Sequence, residues 1–141
     1  MNESMLAAAY PFWGKLSGEE RERILAGCTL AAYGKGEHIH RSDMGCKGAI
    51  LVLSGLLRVY IVSDEGREVT LFRIHEGENC VLSASRLLDS IQFDLLIEAA
   101  ENTQAAVIPA SVLHPIMEDN PYVGLYMYKQ AAERFSDVMW M

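Results

Sequence analysis

The chain has 141 residues, 50% of them hydrophobic and 22% charged, which suits one compact domain and excludes a disordered or fibrous polypeptide. Twelve Lys and Arg stand against nineteen Asp and Glu, for a formal net charge of −7. The chain by itself therefore lacks the cationic surface that holds nucleic-acid phosphates. No apolar run approaches the roughly 20 residues of a membrane helix, and the N-terminus, with Glu3 and no early Lys or Arg, is a poor export signal. Cys28, Cys46 and Cys80 form no CxxC pair or disulfide framework, so a reducing cytoplasm is the expected compartment.

Residues 1–28 read as helical, with Pro11-Phe12-Trp13 breaking an apolar patch. Ser17 and Glu20 have the spacing of a capping box, and Gly27 is the expected stop. Residues 29–109 read as short strands separated by turn signals: Gly34-Lys35-Gly36, Asp43 to Gly45, Ser54-Gly55, Asp64-Glu65-Gly66, Glu76-Gly77-Glu78 and Glu101-Asn102. Ala49 to Leu53 is continuously apolar, as a strand covered on both faces would be. Leu57, Val59 and Ile61 alternate with Arg58 and Tyr60, and Val69 to Ile74 follows a short Gly-containing loop, so this stretch predicts a hairpin. Leu95 to Ala99 and Gln104 to Ile108 are expected to make a later pair. Many short strands at this spacing predict an antiparallel β-roll or jelly roll, mainly β with flanking helices.

Residues 110–141 return to helix, with Ser111 as the expected cap of a short helix and Asn120-Pro121 opening a long one. Along it Leu125, Tyr128, Ala132, Phe135 and Met139 step by 3, 4, 3 and 4, the spacing of a dimerising seam. The same spacing also suits an amphipathic helix lying on its own β-domain. Glu133 and Arg134 read as solvated or interhelical charges. The sequence stops on Met139-Trp140-Met141 without a C-cap, which leads us to expect a longer natural helix.

Two groups of residues carry candidate chemistry. His38 and His40 share one face of a strand, where two imidazoles could begin a metal site or simply face solvent. Glu78, Asn79, Cys80, Val81, Leu82, Ser83, Ser85 and Arg86 mix a carboxylate, an amide, hydroxyls and a cation with apolar residues. That mixture suits a small-molecule pocket, and equally a surface loop. Tyr126, Tyr128 and Lys129 are the helix residues expected to reach it. No nucleophile elbow, P-loop or dinucleotide fingerprint is present, so the chain is not expected to be an enzyme.

Taken in order, Tyr33 to Ile39, Leu53-Ser54-Gly55 to Tyr60, Asp64-Glu65-Gly66 to Leu71, and Gly77-Glu78 resemble the cyclic-nucleotide-binding-type sensor domain of the Crp/Fnr transcription regulators. The resemblance implies a β-roll sensor over 29–109, an N-terminal helical region over 1–28, and an exit helix with a dimerisation helix over 110–141. It also implies a homodimer, a small-molecule effector, and DNA contact only through a C-terminal helix-turn-helix domain not present in this chain. Where the family's cyclic-nucleotide binders carry Arg-Ser/Thr-Ala, this sequence reads Ile91-Gln92-Phe93-Asp94-Leu95. An acid there opposes a phosphate, so the expected effector is not cyclic AMP. No metal and no membrane partner is expected. The readings from other classes are a metal-dependent cupin-like enzyme using His38 and His40, and a stand-alone binding module.

Overall fold

The computed structural model describes residues 3–40, 47–81 and 95–139. Helix α1 (Glu3–Ala9), a 3₁₀ turn (Pro11–Lys15) and helix α2 (Gly18–Gly27) come first. The capping box forms as expected: Glu20 N donates to Ser17 Oγ at 3.1 Å, and Ser17 N donates to Glu20 Oε1 at 2.8 Å.

Among the described residues eight strands follow: β1 (Thr29–Tyr33), β2 (His38–His40), β3 (Gly48–Ser54), β4 (Leu56–Val62), β5 (Glu68–His75), β6 (Asn79–Cys80), β7 (Leu95–Ala99) and β8 (Thr103–Pro109). They build two four-stranded antiparallel sheets, ordered β1-β8-β3-β6 and β2-β7-β4-β5. The predicted hairpin is β4–β5, in register from Leu56↔His75 to Val62↔Glu68. The expected pairing of Leu95–Ala99 with Gln104–Ile108 is corrected. Strand β7 pairs with β2 and β4, while β8 pairs with β1 and β3, so the turn at Glu101-Asn102 carries the chain from one sheet to the other. At that corner Gly55 has φ 103°, and a Cβ there would lie 2.6 Å from the Asn102 carbonyl oxygen, so only glycine fits.

The alternation of side chains divides the apolar residues between two cores. Ile50, Val52, Leu57, Val59, Ile97, Ala105 and Val107 fill the space between the sheets. Ala49, Leu51, Ala106 and Ile108, on the opposite face of the first sheet, pack under Leu6, Tyr10, Phe12, Trp13 and Ile24 of the N-terminal layer. The continuous apolar run in β3 is explained by this: it has a core on each side.

Helices α3 (Ala110–Asp119) and α4 (Pro121–Met139) close the structure. Ser111 is not the cap of α3; the helix begins at Ala110, its cap position is Pro109, two residues earlier, and no side chain caps it. Asn120 does open α4, its Oδ1 accepting from Tyr122 N at 3.1 Å. Its Nδ2 also donates to Lys15 O at 3.0 Å and to Glu20 Oε1 at 3.1 Å, and the residue is 8% exposed. One side chain thus ties α4 to the 3₁₀ turn and to the capping box of α2. Asn120→Ala removes the cap and the donor to the Lys15 carbonyl, so it should cost about 1–2 kcal/mol in urea denaturation.

Candidate functional site

The turn between β5 and β6 sets the first wall of the site. Gly77 N donates to Val52 O at 2.8 Å, and Glu78 N donates to His75 O at 2.9 Å. The Glu78 carboxylate is drawn into the same turn, with Oε1 accepting from His75 N at 2.7 Å and lying 3.0 Å from His75 Nδ1. Its other oxygen faces Arg134 Nη2 of α4 at 3.9 Å. Burial pushes the Glu78 carboxyl up, but the His75 hydrogen bonds and the Arg134 charge outweigh it and hold the group below its ordinary value.

Strand β6 places Asn79 and Cys80 on opposite faces. Cys80 pairs with Ile50 and points into the core between the sheets, whereas Asn79 pairs with Leu51 on the outer side. Asn79 Nδ2 donates to Ala9 O at 3.2 Å and to Tyr126 OH at 3.0 Å. The Ala9 carbonyl can only accept, which fixes the nitrogen end of the amide towards it. Among the described residues Asn79 Oδ1, which is buried, has no hydrogen-bond partner.

Helix α4 supplies the second wall. Val123, Met127 and Ala131, all fully buried, form the stripe that packs on the domain. Gln130, Ala131 and Arg134 then meet Phe72, Asn79, Cys80 and Val81 around a small cleft of about 10 Å³, room for about one water molecule. The Arg134 guanidinium lies 5.3 Å from the centre of the Phe72 ring, and its side chain is 23% exposed. Tyr126 flanks the cleft, packed edge-on against Phe12 and Tyr10 with centroids 5.2 and 6.2 Å away. Among the described residues the site thus sets the Arg134 guanidinium, the Asn79 amide and the paired Glu78 carboxylate among apolar walls.

Of the residues singled out from sequence, Glu78, Asn79, Cys80, Val81 and Tyr126 come together here. Leu82, Ser83, Ser85 and Arg86 lie outside the described residues. Tyr128 and Lys129 are exposed on α4, and neither lines the cleft. Tyr128 instead borders a groove with His114, Met117, Glu118 and Gly124. Arg134, read from sequence as a solvated or interhelical charge, turns inward. Phe72, Gln130, Ala131 and Arg134 are the lining residues that the sequence reading missed. The signal was present in the spacing Val123, Met127, Ala131, which continues to Arg134 on the same helical face.

His38 and His40 sit elsewhere, on the second sheet. His38 Nε2 lies 2.6 Å from Tyr60 OH and 3.9 Å from Glu98 Oε2. His40 Nδ1 is buried without a partner among the described residues, and burial lowers the His40 pKa. Among the described residues no group of three or more His, Cys, Asp or Glu side chains could hold a metal ion, and no helix there is long and apolar enough to cross a membrane.

The fold places the chain among known proteins. The cyclic nucleotide-binding domain family matches residues 30–120. A structure described as a transcriptional regulator of the Crp/Fnr family from Eubacterium rectale is 44% identical, with a TM-score of 0.84 over 93% of this chain and 61% of that one. This chain therefore spans less than two thirds of that protein's length. The sensor domain of the transcriptional regulator DNR from Pseudomonas aeruginosa shares the fold at 18% identity, with a TM-score of 0.72 over 94% of this chain and 87% of that one. The c-di-GMP-responsive regulator CLP from Xanthomonas campestris does so at 20% identity, with a TM-score of 0.61 over 87% and 61%. Comparison with curated proteins gives no match. The match over most of the β-roll, together with two antiparallel sheets closed by a C-terminal helix, leads to one conclusion: this chain belongs to the cyclic nucleotide-binding domain family, in a form similar to a Crp/Fnr-family transcription regulator.

Proposed function

We propose that the chain is the effector-sensing and dimerisation part of a Crp/Fnr-like DNA-binding regulator. A small effector other than cyclic AMP enters the cleft between β6 and α4. DNA is contacted only through a helix-turn-helix domain that would follow this chain, whose net charge of −7 suits no such role. The chain's own work is binding rather than catalysis, in a reducing cytoplasm where the Cys28 and Cys80 thiols persist. Residues 1–28, 29–109 and 110–141 serve as N-terminal layer, sensor and output helix.

The observation that carries this reading is the two-faced character of α4. Val123, Met127 and Ala131 are fully buried on the domain, while Leu125 is 65% exposed and Tyr128 50% exposed on the other side. Ala132 is exposed on that side as well; the side chains of Phe135 and Met139 lie outside the described residues. The two sequence readings of this helix are therefore compatible, one stripe lying on the β-domain and another left for a partner. A single helix that walls the cleft and offers an apolar stripe can pass a change in one to the other, shifting the population of helix orientations.

Sedimentation velocity tests this directly. The chain should run as a dimer, and Leu125→Glu with Tyr128→Glu should make it a monomer. Because both side chains are exposed within the protomer, the thermal midpoint of the monomeric variant should reflect only the loss of association. A wild-type monomer at high concentration would overturn the reading. A large thermal shift with cyclic AMP would overturn the choice of effector.

A further inference from the structure

The two sheets end in four outermost strands, and the open edge of such a strand is a template for another strand unless something guards it. Three of the four are guarded. Strand β6 has two residues, β2 carries His38, His40 and a bulge, and β5 carries Glu68, Arg73 and His75. Strand β1, Thr-Leu-Ala-Ala-Tyr, has no charge, no proline and an unbroken register with β8. Among the described residues no strand pairs with its other edge. The side chains of Leu30 and Ala32 share the outer face of the sheet, where Leu30 is 67% exposed. Beside them Ala31, Ala32, Leu53 and Gln104 border a groove of about 230 Å³, because the two alanines leave room that a larger side chain would fill.

We propose that β1 is a self-association edge whose occupant is β1 of a second copy of this chain, paired antiparallel about a two-fold axis through Ala31. In that register Leu30 of each copy faces Ala32 of the other, so the exposed leucine drops into the groove that the partner's alanines leave open. The charges agree with it. Beyond the strands the same axis carries the partner's Lys35, exposed in the turn after β1, towards the end of α2 at Gly27. Helix α2 has no basic residue in its last turn, and the partner's Lys35 supplies the cation that its C-terminal carbonyls favour. The joined edges make one eight-stranded sheet. The contact lies three strands from β6, where α4 packs, so it does not compete with a dimer formed through α4; it links such dimers in pairs. Five residues a side are far fewer than the roughly 20–30 of a stable complex, so the association is weak, with a Kd of about 0.1–1 mM.

Sedimentation equilibrium of the whole chain from about 10 μM to about 1 mM tests this. The wild type should pass from dimer to tetramer, and Leu125→Glu with Tyr128→Glu from monomer to dimer, over the upper part of that range. Leu30→Lys should weaken this step about tenfold or more, since a lysine on an edge strand opposes pairing, and Ala32→Lys should do the same. Both sites are exposed, so the thermal midpoint of either variant in dilute solution should match the wild type. Lys35→Glu should weaken the step about threefold at low salt. Amide exchange in residues 29–33 should slow as concentration rises. No association beyond the α4 step, or one that Leu30→Lys leaves unchanged, would overturn the proposal; indifference to Lys35→Glu would overturn the two-fold register. A wild-type chain that associates only once, and loses that association to Leu30→Lys but not to Leu125→Glu, would keep β1 pairing and fail the α4 dimer alone.

Discussion

Gly48→Ala should be among the most destabilising single substitutions in this fold. Gly48 opens β3 opposite Pro109 of β8, with φ 128°. A Cβ at this position would fall onto the Ile108 carbonyl oxygen and lie 2.9 Å from Ala110 N. Both obstacles are backbone, so no side chain can rotate away. The neighbouring Ala110 N donates to Lys47 O at 3.3 Å, which holds the start of α3 against the start of β3. Accommodating a methyl group means breaking that junction and accepting a left-handed conformation that costs an alanine about 1–2 kcal/mol by itself. Together these should cost about 4 kcal/mol or more, against a total stability of about 5–15 kcal/mol for a domain of this kind. Gly14→Ala is the matched control, because nothing lies within 4 Å of a Cβ there and its φ is not positive. Urea denaturation of the two variants should show the first with a much lower midpoint and the second close to the wild type.

The same contrast marks what could be read from the amino acids. Features set by neighbours in the chain were legible: the Ser17–Glu20 capping box, the β4–β5 hairpin after Asp64-Glu65-Gly66, and the Asn120 cap of α4. Features set by distant partners were not. Leu95–Ala99 and Gln104–Ile108 look like a hairpin because they are adjacent and β-rich, but their hydrogen bonds go to strands more than thirty residues away in both cases, such as β4 and β3. Half of the candidate site was visible as Gly77-Glu78-Asn79-Cys80, since a glycine-led turn beside mixed side chains is a local signal. The other half comes from α4 and β5. A terminal guanidinium on a long stem looks the same in sequence whether it faces water or a cleft.

Removal of Arg58 should have the next largest effect. The alternation in β4 places it on the outer face of the second sheet, yet its side chain is only 18% exposed. Its Nε donates to Glu98 Oε1 at 2.8 Å, its Nη1 to Thr70 Oγ1 at 3.2 Å, and its Nη2 to Glu68 Oε1. The guanidinium lies 3.9 Å from the centre of the Tyr60 ring and covers it, so Tyr60 is 3% exposed. Tyr60 OH in turn meets His38. Four strands, β2, β7, β4 and β5, are joined across one face by this set. Glu68 is 52% exposed and adds little, but Glu98 is 17% exposed, and Arg58→Ala would leave its carboxylate without its main partner in a poorly hydrated place. Removing one member of a buried pair costs about 3–5 kcal/mol; with water still reaching this face we expect about 2–3 kcal/mol, including the uncovered Tyr60 ring. A double-mutant cycle with Glu98→Gln should return a coupling of about 1–2 kcal/mol. Additive single effects would mean that the ring packing, not the ion pair, holds the four strands in register.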